Sequence, residues 1–112
     1  MTGLTTHVLD TAHGRPAGAM ALRLYQGNRL IFSGETNGDG RCPGLLSDQN
    51  LAVGTYRLEF GVADYFRAAG VSLPDPPFLD VVSIDFGVAD AAGHYHVPLL
   101  CSPFSYSTYR GS

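Results

Sequence analysis

The stretch TYRLEFGV at residues 55–62 alternates apolar and polar side chains. Successive side chains of a β-strand point to opposite faces of the sheet, so the apolar side chains share one face and Arg57 and Glu59 share the other. One apolar and one charged face are typical of a strand that is buried on one side. We therefore predict a half-buried strand here. Its apolar face consists of Tyr56, Leu58 and Phe60.

On both sides of this stretch, short runs of apolar, β-branched and aromatic residues lie between glycines and prolines, a pattern that predicts further strands. These strands cover residues 5–10, 19–26, 29–33, 41–46, 81–88, 94–100 and 104–110. In the second of them, Met20, Leu22 and Leu24 form the apolar face. Gly27-Asn28 predicts a tight hairpin, because both residues tolerate positive φ. Pro43 cannot donate to a ladder, so we predict an edge strand around it.

One short helix is predicted at residues 63–69, where alternation stops and Gly70 supplies a C-terminal cap. After it, the segment PDPP at residues 74–77 forbids regular structure and predicts a rigid loop. Many short strands separated by turns are typical of an all-β sandwich or barrel. At 112 residues, the chain is expected to form a single domain, residues 1–112.

Composition limits the partners. The net charge is −3, every basic residue is an arginine, and no basic patch occurs, which argues against nucleic acid. No stretch approaches the roughly 20 apolar residues needed to span a membrane. The N-terminus, residues 1–6, has neither a basic nor an apolar leader segment. Cys42 and Cys101 lack metal-ligand spacing, and we expect both thiols to be reduced. The predicted location is the cytoplasm.

Three of the four histidines are candidates for chemistry. His7 interrupts an apolar strand pattern, and His94 and His96 share a face because they are two residues apart on a strand. Imidazole can serve as base or acid near neutral pH. Two alternatives stay open at this point. A strand histidine is often purely structural, and three histidines could hold a catalytic zinc ion, although no acidic partner is identifiable nearby in the sequence.

Arg41 directly follows the glycine-rich turn TNGDG. Its guanidinium is a planar fork of donors that suits a ring bearing carbonyl and anionic oxygens. In isolation, a solvated turn arginine is the simpler interpretation. The chain ends in SYSTYRGS at residues 105–112, and terminal residues are normally frayed.

Three blocks of sequence nevertheless resemble the 5-hydroxyisourate hydrolases, also called transthyretin-related proteins. They are THVLDT with GRPA at residues 6–11 and 14–17, TNGDGRC at 36–42, and HYHVPLL at 94–100 continuing to YRGS at 109–112. The terminal YRGS distinguishes these hydrolases from transthyretin proper. The resemblance covers nearly the whole chain. One departure lies at residues 77–80, where the family more often has an aromatic residue and a proline ahead of the strand.

The resemblance implies a transthyretin-like β-sandwich of two four-stranded sheets with one short helix. It implies a homotetramer, a dimer of dimers with two clefts at the dimer–dimer interface, and it implies no cofactor and no metal. Of the residues that match the family's motifs, His7, Arg41, His96 and Ser112 are the implied catalytic residues. Tyr109, with His7 and Arg41, is implied to bind the substrate.

The implied reaction is hydrolysis of 5-hydroxyisourate to 2-oxo-4-hydroxy-4-carboxy-5-ureidoimidazoline, a step of urate degradation in purine catabolism. Water must be deprotonated and the carbonyl oxygen stabilised, so we expect His7 or His96 to be the base and Arg41 the electrostatic anchor. Ser112 is interpreted as a relay or hydrogen-bonding group rather than a nucleophile. The main alternative is a transthyretin-like small-molecule binding protein, for which apolar channel walls are expected. A purely structural sandwich is a third reading.

Overall fold

The computed structural model describes residues 2–111, which form ten strands and one helix in an order close to that predicted. The strands are β1 (Gly3–Thr5), β2 (Val8–Asp10), β3 (Arg15–Pro16), β4 (Ala21–Gln26), β5 (Arg29–Glu35), β6 (Gly54–Gly61), β7 (Val81–Val88), β8 (His94–His96), β9 (Leu99–Cys101) and β10 (Tyr106–Thr108). The helix is α1 (Val62–Ala68), which follows β6 without a break.

The first sheet is antiparallel, with strand order β5-β4-β6-β7. Leu24 on β4 pairs with Leu58 on β6, which pairs in turn with Ile84 on β7, so the apolar faces of the three strands align. Leu58 and Phe60 are fully buried, whereas Arg57 is exposed. The alternation predicted for residues 55–62 is therefore confirmed, and so is the hairpin after residue 26.

The second sheet has strand order β10-β9-β2-β3, and the parallel pair β1-β8 extends it. Two hydrogen bonds join the extension to the sheet. The amide of Val97 donates to the carbonyl of Thr5 at 2.9 Å, and that of Leu99 donates to the carbonyl of His7 at 3.0 Å. The predicted strands 5–10 and 94–100 are thus each split in two. His7 pairs with the Arg41 segment instead, and Pro98 has no N–H to donate.

A continuous apolar core lies between the two sheets. It includes Leu22, Leu24, Leu58, Phe60, Phe66, Val8, Leu99 and Cys101. Three polar residues are also buried, namely Thr6, Asp10 and Thr36, and each makes hydrogen bonds. Within residues 2–111, no buried side-chain nitrogen or oxygen lacks a partner. The two-sheet, all-β architecture with one short helix agrees with the predicted fold class.

Helix α1 begins one residue earlier than predicted and buries Val62, Ala63, Tyr65 and Phe66. The prediction of a strand at residues 41–46 was wrong. This segment folds as consecutive turns, in which the amide of Leu45 donates to the carbonyl of Cys42 and the hydroxyl of Ser47 donates to the carbonyl of Pro43. The last predicted strand, 104–110, is shorter and spans only β10.

Cys42 and Cys101 are both buried and free, as expected for reduced thiols. In the part of the chain that the structure describes, no helix is long and apolar enough to cross a membrane.

Candidate active site

The turn at residues 36–40 sets the position of Arg41. The side-chain oxygen of Asn37 accepts hydrogen bonds from the amides of Asp39, at 3.0 Å, and Arg41, at 3.1 Å. The amide of Asn37 donates to the carbonyl of Arg41 at 2.7 Å and so closes the turn. An asparagine that bonds to the backbone beyond it is a common way to stabilise a tight turn. The turn therefore holds the carbonyl of Asp39 and the backbone of Arg41 in a fixed relation.

Gly40 is required at the centre of this turn for two reasons. Its φ is +76°, a conformation that other residues rarely adopt. A Cβ atom at this position would also overlap the carbonyl oxygen of Val8. The close approach permits the amide of Val8 to donate to the carbonyl of Gly40 at 2.8 Å. The turn is thereby attached to β2, next to His7.

His7 lies between β1 and β2 and pairs with Arg41 through an isolated antiparallel bridge. Its ring atom Nε2 lies 2.9 Å from the carbonyl oxygen of Asp39. Because a carbonyl oxygen can only accept a hydrogen bond, Nε2 must carry the proton. In the neutral ring, the lone pair therefore lies on Nδ1. The turn thus fixes both the orientation and the tautomer of His7.

His94 and His96 lie on the same face of β8, as predicted, with ring centroids 6.4 Å apart and planes inclined by 21°. Thr5 on β1 is paired with His96 in the strand register. The Thr5 hydroxyl oxygen lies 3.0 Å from Nε2 of His94 and 2.9 Å from Nδ1 of His96. One hydroxyl therefore contacts both imidazole rings.

The C-terminal segment packs directly against His96. The amide of Gly111 donates to the carbonyl of His96 at 2.8 Å, and a Cβ at residue 111 would overlap the His96 ring. Arg110 holds this segment in place, because its guanidinium lies 4.2 Å from the centroid of the Tyr95 ring and donates to the carbonyl of His94 at 3.2 Å. The tail is thus packed at the site up to residue 111.

The surroundings of His96 depress its basicity. Burial lowers the pKa of His96, and the nearby charges of Arg41, His94 and His7 lower it further. His96 is half-buried, as is His7, while Arg41 is exposed. A base that is neutral near pH 7 can take a proton from water, and a nearby guanidinium can stabilise a developing oxyanion.

Two predicted site residues fall outside this group. Tyr109 is 61% exposed and lies with Ile84, Phe86 and Val97 around a depression between β7 and β10. Ser112 lies outside the described residues.

The described residues do not favour the zinc alternative. Among residues 2–111, no three histidine, cysteine, aspartate or glutamate side chains are grouped so that they could hold a metal ion. Instead, Nε2 of His94 and Nδ1 of His96 are both within hydrogen-bond distance of the Thr5 hydroxyl.

Sequence reasoning missed Thr5 and the carbonyl of Asp39. Thr5 precedes His7 by two residues, which hinted at a shared face, but its contact with both histidines depends on the register of β1 against β8. A backbone carbonyl carries no sequence pattern of its own.

Comparison with known proteins places the chain in a family. A model described as the HIUase/Transthyretin family matches residues 4–111. The chain belongs to this family. Within the HIUase/Transthyretin family, the 5-hydroxyisourate hydrolase of Ralstonia nicotianae is 61% identical over 117 aligned positions, which cover 100% of both chains.

Solved structures of relatives share the fold over nearly the whole chain. The 5-hydroxyisourate hydrolase of Klebsiella pneumoniae has a TM-score of 0.85 and 32% identity, covering 99% of this chain and 100% of that one. (S)-allantoin synthase has a TM-score of 0.92 and 41% identity over 99% of this chain. This chain spans only 44% of that longer protein.

Proposed function

We propose that this protein hydrolyses 5-hydroxyisourate to 2-oxo-4-hydroxy-4-carboxy-5-ureidoimidazoline in urate degradation. The observation that best supports this proposal is that His7, Arg41 and His96 come together beside the C-terminal segment. In addition, the chain is 61% identical over its full length to a 5-hydroxyisourate hydrolase. These groups match what hydrolysis of a cyclic amide needs, namely a neutral base and a cationic donor.

In the proposed step, the base takes a proton from water, and the water oxygen attacks C6 of the substrate. The base is His7 through Nδ1 or His96 through Nε2, which are the ring nitrogens left without a partner among the described residues. Arg41 stabilises the negative charge that develops on the C6 oxygen. The C6–N1 bond then breaks and N1 receives the proton. C6 stays attached to the opened ring as a carboxylic acid, which ionises to a carboxylate.

The tail completes this site in our proposal. Tyr109 forms a wall for the planar ring, and Ser112 supplies a hydrogen bond or relays a proton. Support comes from the ordered path of the chain up to Gly111, which packs on His96. A side chain one or two residues from a fixed backbone position can be held with the precision that catalysis requires.

We further propose a homotetramer, a dimer of dimers with the cleft between dimers. In a single chain Arg41 is exposed, so a second copy would be needed to exclude water from the site. β7 and β10 are edge strands of the two sheets, and edge strands readily pair with another chain. A cytoplasmic location is also proposed, and the two free thiols support it.

The transthyretin-like carrier remains the alternative function, and the site does not favour it. A carrier channel is expected to have apolar walls. Two histidines and an arginine instead line the region where the tail packs. The reaction is proposed to be metal-independent, so dialysis against a chelator should leave activity intact, whereas loss that zinc restores would revive the metal hypothesis.

Site variants test the proposed roles. His7→Asn and His96→Asn are expected to lower turnover of 5-hydroxyisourate by at least about a hundredfold for whichever histidine is the base. Arg23→Gln is the matched control, since this exposed arginine lies on the other sheet and only approaches Glu59 at 3.9 Å. Near-native turnover in both histidine variants would contradict the assignment.

A further inference from the structure

The hydroxyl of Thr5 lies between two imidazole rings that it contacts at similar distances. Nε2 of His94 is 3.0 Å away and Nδ1 of His96 is 2.9 Å away. A hydroxyl group has one hydrogen and can accept through its lone pairs. When both rings are neutral, Thr5 therefore donates to one and accepts from the other. The tautomers of the two histidines are coupled through a single oxygen atom.

Two arrangements of the protons on Thr5, His94 and His96 satisfy this requirement. In the first, His94 donates to Thr5 and Thr5 donates to Nδ1 of His96, so that Nε2 of His96 carries a proton and cannot act as a base. In the second, Nδ1–H of His96 donates to Thr5, and Thr5 donates to Nε2 of His94. Nε2 of His96 then holds the lone pair, and the neutral His94 carries its proton on Nδ1.

The orientation of the His96 ring is also fixed. The backbone of Gly111 packs so closely on the ring that a Cβ there would overlap Cδ2. Turning the ring over would bring Cδ2 to the Thr5 hydroxyl and lose that hydrogen bond. Nε2 of His96 has no hydrogen-bond partner among residues 2–111, which leaves it for a water molecule or substrate.

We propose that Thr5 and His94 are positioning residues for His96, with the Thr5 hydroxyl accepting from Nδ1–H of His96 and donating to Nε2 of His94. This arrangement keeps the lone pair of His96 on Nε2, facing the reactants. The inference rests on the proposed hydrolysis and assigns the base role to His96 through its hydrogen-bond partners.

The same contacts provide a path for the proton that His96 accepts. When Nε2 takes a proton from water, His96 becomes a cation. Its Nδ1 proton can pass to the Thr5 oxygen while the Thr5 proton passes to Nε2 of His94. His96 is then neutral with its proton on Nε2, and the positive charge lies on His94. Return of a proton to Nδ1 through Thr5 restores the His96 cation, which protonates N1 of the substrate through Nε2. Each atom regains its proton when the path runs in reverse.

Nitrogen-15 NMR of the imidazole rings tests the arrangement without reference to activity. In the neutral wild-type protein, we expect a protonated Nδ1 and an unprotonated Nε2 on His96, and the same pattern on His94. The variant His94→Leu leaves the Thr5 hydroxyl free to donate to His96, so its His96 should carry the proton on Nε2. A wild-type His96 with a protonated Nε2 would overturn the proposal, whatever the outcome of the hydrolase assay.

Activity measurements with matched variants provide a second test of the proposal. Thr5→Val removes the hydroxyl at nearly constant volume, and we expect kcat to fall at least about tenfold, a part of the roughly hundredfold or more that a general base contributes. Thr5→Ser should restore most of the loss. The control is Thr11→Val, because the Thr11 hydroxyl also makes a hydrogen bond, donating to the carbonyl of Cys101 at 3.0 Å, but its partner is neither His94 nor His96.

The results separate the two hypotheses. A folded Thr5→Val variant that matches Thr11→Val in kcat and retains the wild-type imidazole spectrum would overturn the positioning role. A wild-type protein with the expected spectrum but no hydrolysis would contradict the proposed function while leaving the hydrogen-bond arrangement in place.

Discussion

The surroundings of His96 set its acid–base behaviour. Burial and the charges of Arg41, His94 and His7 hold the pKa of His96 below its ordinary value of 6.5. If His96 is the base, kcat/KM should be maximal above this lowered pKa and should fall as the pH decreases through it. The acid limb of the profile is therefore expected below pH 6.5.

Replacing Arg41 tests this electrostatic coupling. Arg41→Gln removes a positive charge, so the pKa of His96 should rise and the acid limb should move to higher pH. The maximal rate will also fall, because the oxyanion loses its hydrogen-bond donor. The pH at which the rate declines is measured independently of that maximal rate. Arg23→Gln should move neither. A lower rate with an unmoved limb would show that the base does not sense Arg41.

Asp10 is a buried carboxylate with a structural role. It accepts hydrogen bonds from Nδ1 of His13 at 2.6 Å and from the hydroxyl of Tyr65 at 2.8 Å. Burial alone would raise the pKa of Asp10, but the hydrogen bonds from His13 and Tyr65 outweigh it and lower the pKa below 3.8. The stabilisation should therefore be present above the unfolded-state pKa and be lost as pH falls through the folded-state value.

The variant Asp10→Asn should lower the free energy of unfolding by about 1–3 kcal/mol at neutral pH, since buried partners lose an ionised acceptor. The control is Asp85→Asn, which removes an exposed, solvent-screened ion pair with Arg57 and should cost clearly less stability. Urea denaturation measures both. Equal effects of the two variants would contradict the structural role of Asp10.

Among the elements, we expect the C-terminal segment to have the largest functional effect for its length. Deleting residues 109–112 removes the stacking of Arg110 on Tyr95 and the bond from Gly111 to His96, but it removes no residue of the apolar core. We therefore expect a folded protein whose hydrolase activity is near background. Circular dichroism would report the fold and an absorbance assay the activity. Retention of most of the turnover would remove the tail from the site.

Patterns within one strand and the tight hairpin were readable from the sequence, and pairings between strands distant in the sequence were not. The alternation at residues 55–62 predicted which side chains of β6 are buried, because local geometry alone sets the period. The segment 41–46 also carries apolar residues, yet its backbone bonds close turns instead of a ladder. Thr5 shows the same limit at the site, since its contact with two histidines depends on the register of β1 and β8.

At the scale of the whole molecule, the edges of both sheets carry exposed apolar side chains. Val81 on β7 is 54% exposed, and Tyr106 on β10 is 46% exposed. Exposed apolar groups on unpaired edges favour association. Sedimentation equilibrium is expected to give four times the chain mass of 11.9 kDa, and activity per chain should fall when dilution dissociates the assembly. A fully active monomer would contradict the proposed cleft between dimers.

The most direct test of the proposed activity uses the wild-type protein. Uricase generates 5-hydroxyisourate from urate, and the ultraviolet absorbance of this unstable compound decays as its ring opens. We expect a catalytic amount of this protein to accelerate the decay strongly, with dialysed protein as active as untreated protein. A decay rate that is the same with and without the protein, at a concentration where sedimentation finds it assembled, would contradict the proposed hydrolase function.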